Sequence, residues 1–289
     1  MKFPWNKYKE LEVGVRNTLQ VFITNKCNLN CPGCFARNII SGDDKHISLS
    51  EYSRAVSYFI ARGGRQINLL GGEPLLHPKL KDILAINKTN KIQTTIYTNG
   101  TAFSSYSSPD FDGVKLRVAI YSYEGENKSC LSISEDIPEF DANFMVSSKT
   151  TLSDLLQSAI RCEFVYGCKV FFISSIRELN NKRKEFFDDT SLSLSILKYK
   201  EMVHEFLNKY EGDLEIHVSK RGVFESLVNK CNNKCRFANY FIGGKIIQCP
   251  YDIINLKFQI NYDFNDRFCQ HNNTCLMSKV IYKRHENNL

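Results

Sequence analysis

Short apolar runs separated by polar, turn-forming segments recur along the first 220 residues, and their periods alternate between strand and helix. Residues 18 to 24, Thr-Leu-Gln-Val-Phe-Ile-Thr, read as a buried first strand. A helix is expected from about Ser48, where Ser48 and Glu51 form a capping box. Tyr52, Val56, Phe59 and Ile60 share one face of it, and Gly63-Gly64 end it. Further strands are predicted over 65–70, 92–98, 114–121, 143–147 and 169–174. A capped helix opens at Thr151 with Asp154, and Leu152, Leu155, Leu156 and Ile160 lie on one side. From about Ser191 a longer amphipathic helix carries Tyr199, Met202, Val203, Phe206, Leu207 and Tyr210, closed by Gly212. Residues 214–219 read as an additional edge strand, and 125–141 as a long loop. This alternation is that of an α/β protein.

The last sixty residues break the pattern. Long apolar faces are few, and five of the eleven cysteines stand here: Cys231, Cys235, Cys249, Cys269 and Cys275. Residues 240–248 read as a hairpin with Gly243-Gly244 at its tip. So small a core needs a staple, and a metal site between Cys235 and Cys249 at the two ends of the hairpin would supply one. A zinc knuckle and unligated buried thiols are the alternatives. Cys130, Cys162 and Cys168 have no partner at ligand spacing and read as small core fillers.

Composition narrows the setting. The 289 residues are 43% hydrophobic and 24% charged with a net charge of +7, the profile of a globular protein long enough for one barrel-like domain and an appendage. No apolar run approaches the roughly twenty residues of a membrane span. The N-terminus has no apolar signal core, so a cytoplasmic setting is expected, where clustered cysteines point to metal rather than disulfides. The basic maxima at Lys182-Arg183-Lys184 and around 279–285 lack an interleaved aromatic stripe, and a nucleic-acid partner is not expected.

The densest chemistry is Cys27-Asn28-Leu29-Asn30-Cys31-Pro32-Gly33-Cys34, directly after the first strand. Three thiols in eight residues cannot all pair as disulfides. Structural zinc wants four ligands, and the local count stops at three. A four-iron cubane also needs four ligands, so three thiolates leave one iron free for a ligand that is not protein. Gly71-Gly72-Glu73-Pro74 ends the next strand, where glycines let the backbone approach a ligand and a carboxylate accepts from a cationic amino group. Thr98-Asn99-Gly100 ends the third, and Ser122-Tyr123-Glu124-Gly125 follows the fourth.

The three-cysteine spacing together with Gly71-Gly72-Glu73-Pro74 resembles the radical S-adenosylmethionine superfamily. The resemblance implies a partial (β/α)6 barrel over 15–220 with an auxiliary-cluster extension of the SPASM or twitch kind over 221–289. It implies a [4Fe-4S] cluster on Cys27, Cys31 and Cys34, with S-adenosylmethionine on the open iron. Gly33, Phe35, Gly71, Gly72, Glu73, Pro74, Thr98, Asn99 and Ser122 would contact that cofactor. Gly33 stands where the family usually has a bulky residue, and Glu124 where it has an aspartate. A second [4Fe-4S] cluster would sit on Cys235, Cys249, Cys269 and Cys275, with Cys231 in place of one of them or spare. The implied activity is reductive cleavage of the cofactor to a 5′-deoxyadenosyl radical that abstracts hydrogen from a substrate. A peptide or protein is the preferred substrate, with electrons from a reductant such as ferredoxin or flavodoxin. A small-molecule dehydrogenase, a glycyl-radical-enzyme activase and a non-catalytic zinc or iron–sulfur module are the other readings. No motif places a general base.

Overall fold

The computed structural model describes residues 8–10, 18–31, 34, 45–61, 63–120, 138–175, 194–219, 239–242, 245–247 and 279–282. Its elements are, in order, β1 (Tyr8–Glu10), β2 (Thr18–Thr24), α1 (Leu49–Ile60), β3 (Gln66–Gly71), α2 (Leu80–Thr89), β4 (Gln93–Thr98), β5 (Val114–Ile120), β6 (Phe140–Val146), α3 (Leu152–Phe164), β7 (Val170–Ser175), α4 (Ile196–Lys209), β8 (Glu215–Ser219), β9 (Asn239–Ile242), β10 (Lys245–Ile247) and β11 (Lys279–Tyr282). They form one sheet ordered β1-β11-β8-β7-β6-β5-β4-β3-β2-β9-β10. β2 to β8 are seven successive parallel neighbours, an α/β partial barrel.

The helices form where local signals predict them. Ser48 accepts from the Glu51 amide and starts α1, while Thr151 and Asp154 cap each other reciprocally and start α3. Ser195 caps α4, four residues later than the sequence suggests. α2 has no side-chain cap; it lies between β3 and β4 with Leu80, Ile83 and Leu84 buried. The seventh parallel strand differs from expectation in kind. β8 is interior rather than an edge, because α4 carries the chain back to pair it parallel with β7, and β11 then covers its other side antiparallel. β9 of the hairpin pairs parallel with β2, so both flanks of the parallel strands are extended by late segments.

Alternation gives the sheet two unlike faces. Positions such as Val21, Leu69, Val118, Phe144 and Ile173 point to the helices and join one core with Phe59, Tyr199 and Phe206. Each such side chain stabilises the fold by about 1.5–3 kcal/mol when fully buried. The opposite positions are Gln20, Asn68, Thr95, Arg117, Asn143 and His217, with Phe22, Leu70 and Phe172 among them but outside that core. Parallel strands packed on both faces read as continuous apolar runs. Here one face is polar, as befits a barrel interior that receives something other than its own side chains.

Candidate active site at the strand ends

The carboxyl ends of β2, β3 and β4 are bonded into one unit. Gly72 N–H donates to Thr24 O at 2.9 Å and Glu73 N–H to Lys26 O at 2.8 Å, so the turn after β3 lies against the run-in to Cys27. A Cβ on Gly71, whose φ is +151°, would meet Thr24 O at 2.3 Å, and one on Gly72 would meet Lys26 O at 2.2 Å and Cys27 Cβ at 2.9 Å. Only glycine allows this approach. These glycines, expected at a ligand, stand against Thr24 at the end of β2 and against Lys26 and Cys27 beyond it.

Glu73 is 1% exposed. Its Oε1 accepts from Leu75 N–H at 3.0 Å and from the Thr98 hydroxyl at 2.6 Å, and its Oε2 from Asn99 N–H at 2.7 Å. Burial outweighs these bonds and pushes its carboxyl up to about 7. Burial also raises the Cys27 thiol, and the Glu73 charge adds to that effect. Thr98 and Asn99 are thereby brought to Glu73 as a group, the first through its hydroxyl and the second through its amide.

Asn28, inside the cysteine loop, is tied to the end of β4. Its Nδ2 donates to Thr101 Oγ1 at 2.6 Å, Asn99 Nδ2 donates back to Asn28 Oδ1 at 3.0 Å, and Thr101 Oγ1 closes the ring onto Asn99 Oδ1 at 2.6 Å. The far end of the loop is pinned as well. Lys45 and Asn25 exchange bonds of 3.0 and 2.6 Å, Thr24 Oγ1 and His46 Nδ1 stand 2.9 Å apart, and Ile47 N–H donates to Ile23 O at 2.8 Å. His77 joins this strap to the turn after β3. Its Nδ1 accepts from Lys79 N–H at 3.0 Å, which leaves Nε2–H to donate to Ile47 O at 3.1 Å. Burial lowers its pKa, favouring that neutral form.

Asn28, Thr101, His46 and the strap at 45–47 were not singled out from sequence. Each is a single polar residue whose partner lies 20 or more positions away, and no local periodicity announces such a bond.

Cys27, Cys31 and Cys34 are half-buried and free of disulfides, and Cys34 N–H donates to Cys31 O at 3.1 Å, folding the last two onto one turn. Among the described residues no three Cys, His, Asp or Glu side chains close around a single point. A cubane presents several irons across a face, so its thiols need not do so. Three soft thiolates on one loop suit an iron–sulfur cluster in donor chemistry. Gly33, Phe35, Ser122, Cys130, Cys231, Cys235, Cys249, Cys269 and Cys275 lie outside the described residues, as does 125–137 of the loop expected over 125–141, whose last two residues instead open β6. Cys162 and Cys168 are buried, as core fillers would be. No helix among the described residues is long and apolar enough to cross a membrane.

Comparison with known proteins finds relatives that match part of the chain. GTP 3',8-cyclase of Pseudomonas fluorescens (strain Pf0-1) is 30% identical over 128 residues, 42% of this chain and 38% of that protein. GTP 3',8-cyclase of Rhizobium etli (strain CIAT 652) is 35% identical over 95 residues, 31% of this chain and 27% of its own length. The matches thus span well under half of these curated relatives. Among solved structures, Streptococcus suis SuiB bound to precursor peptide SuiA aligns with a TM-score of 0.69 at 15% identity, covering 86% of this chain and 63% of that one, a likeness of fold. Residues 21–111, from within β2 to the connection after β4, match the model of the Radical SAM superfamily.

Proposed function

We propose that this protein is a radical S-adenosylmethionine enzyme, with a [4Fe-4S] cluster on Cys27, Cys31 and Cys34 and the cofactor seated over the ends of β2 to β4. When bound, the two together supply a 5′-deoxyadenosyl radical that removes a hydrogen atom from the substrate. The observation that carries this reading is the state of Glu73. A carboxylate has about four acceptor positions, and three of those on Glu73 are taken by Leu75, Thr98 and Asn99. A cationic amino group would be the natural partner of the remaining one, since burial makes an unneutralised charge there costly. Gly71 and Gly72 keep the cysteine loop against that carboxylate, Pro74 opens the tight turn beyond it, and Asn28 and Asn99 hold the loop to β4. Gly33, Phe35 and Ser122 are proposed as further contacts with the cofactor.

A second [4Fe-4S] cluster on Cys235, Cys249, Cys269 and Cys275 is proposed for the 221–289 segment, to take the electron left after abstraction or to bind substrate. The fold shared with SuiB makes a peptide or protein the first substrate class, modified by oxidation or crosslinking, with a ferredoxin or flavodoxin as reductant. A nucleotide substrate is the second reading, favoured by the relatives named GTP 3',8-cyclase. Anaerobic reconstitution with iron and sulfide, reduction and addition of S-adenosylmethionine test the proposal. Release of 5′-deoxyadenosine is expected, and its absence from a protein holding about four or eight irons overturns the enzyme reading. Consumption of GTP with that release would select the nucleotide.

A further inference from the structure

On the polar face of the sheet, Arg117 has a buried donor whose hydrogen bonding is incomplete. Arg117 projects from β5 in register with Tyr97 of β4 and Asp141 of β6. Its guanidinium lies 3.6 Å from the Phe172 ring centroid and 5.1 Å from that of Tyr97, and Nη1 donates to the Tyr97 hydroxyl at 2.9 Å. Two aromatic rings and one hydroxyl therefore fix the plane of the guanidinium. The side-on fork of Nε and Nη2 is left over. Nε is buried without a hydrogen-bond partner, and Nη2 stands 3.7 Å from Asp141 Oδ2, too far for a hydrogen bond. Lys115 is the next charge on β5 and is exposed, and Glu139 on the segment before β6 pairs with Lys169. On β8, Glu215 is engaged with the His217 ring.

A buried donor without an acceptor is uncommon and costly, and an arginine normally spends its fork on a carboxylate two-handed. Here the carboxylate stands beside the fork without closing on it, with side-chain exposures of 15% for Arg117 and 27% for Asp141. The pair thus offers donors and an acceptor side by side at near-zero net charge. An added anion would be repelled by Asp141, and an apolar group would leave both unpaired. A planar amide satisfies both, since its carbonyl accepts from the fork and its N–H donates to Asp141. The site is close to the strand-end unit. Tyr97 immediately precedes Thr98 and Asn99, so Arg117 lies one to two residues, about 3–7 Å along the strand, below the amide that holds Glu73.

We propose that Arg117 and Asp141 form a substrate subsite that binds a planar amide, from a peptide bond or a side-chain carboxamide, at the side-on edge of the guanidinium that the Tyr97 and Phe172 rings hold. This deepens the reading given above and rests on it for the identity of the substrate, whereas binding itself is read without turnover. The test uses the reconstituted full-length protein and three probes of one shape: benzamide, benzoate and methyl benzoate. The readout is the Arg117 Nε–H proton–nitrogen correlation, assigned by its loss in Arg117→Lys. Should that variant fail to fold, Tyr97→Phe removes the hydroxyl on Nη1 and identifies the signal by its shift.

Titration to about 50 mM covers the dissociation constant of order 10 mM expected for ligands this small. Benzamide is expected to move the signal saturably and to bind about tenfold more tightly than methyl benzoate or benzoate, the ratio one net hydrogen bond supports. Asp141→Ala is expected to bring the benzamide and ester affinities together. Tightest binding by benzoate, or no discrimination among the three, overturns the proposal, the former by showing an anion site and the latter a closed structural pair. Loss of 5′-deoxyadenosine release with benzamide binding retained would instead remove the enzymatic reading and leave the subsite standing.

Discussion

The two halves of the parallel sheet do different work with the same geometry. In β2 to β4 the strand ends are locked to one another by main-chain bonds, by glycines that admit no side chain and by a buried glutamate holding the neighbouring strand. In β5 to β8 the notable polar groups sit lower, on the inner face, and Arg117 and Asp141 keep hydrogen-bonding capacity in reserve. The match to the Radical SAM superfamily covers the first half alone. A cradle for a fixed cofactor demands backbone precision, and backbone precision leaves recognisable glycines and cysteines. A surface that meets a particular substrate is built from individual side chains, which one sequence does not announce.

The largest effect expected is at the cysteines. Cys31→Ala should abolish 5′-deoxyadenosine release, whereas Cys249→Ala should retain release and lose substrate turnover; release surviving in the first variant would break the division between the halves. Next is Gly72→Ala, whose added methyl must displace Lys26 O or the cysteine loop. A cost of about 3 kcal/mol is expected, visible as a fall in Tm of roughly 6–12 °C. A Tm within a degree or so of the parent would mean the close approach is not what holds the loop.

Glu73 sharpens the comparison through pH. Its carboxyl stands at about 7 in the folded chain against an ordinary 4.5, so the native state binds the extra proton between those values. Stability from this group is complete below pH 4.5 and is lost as pH rises through 7, by about 3 kcal/mol in total. Melting of the ligand-free chain between pH 5 and 8 should show that decline, and Glu73→Gln should remove it. S-adenosylmethionine, by placing an ammonium at the free acceptor position, should reduce it. The smallest effect is Asn28→Ala, which deletes two bonds to the β4 end and should cost about 1 kcal/mol. It should also slow 5′-deoxyadenosine release several-fold; unchanged release would make the clamp merely structural.

What was legible in the sequence follows from how local each signal is. The caps at Ser48 and Thr151 and the alternation of β5 are written within a few residues, and those elements form where expected, whereas β6 starts three residues before the strand expected over 143–147. β8 read as an edge because nothing near Leu214 tells that β11, sixty residues later, will cover it. α2 carries no such local cap, because its cap position holds Lys79, which makes no side-chain cap bond. At the site, Cys27, Gly72 and Glu73 declared themselves by spacing. The Asn28–Asn99–Thr101 ring and the Tyr97–Arg117–Asp141 row are pairings between strands, visible only once the register is known.

The central claim is that three early thiolates hold a cubane with one iron open to S-adenosylmethionine. It is tested most directly on a variant with Cys235, Cys249, Cys269 and Cys275 all replaced by alanine, reconstituted anaerobically and reduced. The account predicts about four irons per chain and a paramagnetic resonance spectrum that changes when S-adenosylmethionine is added. Zinc in place of iron, or a four-iron spectrum indifferent to the cofactor because a fourth side chain fills the corner, would contradict it.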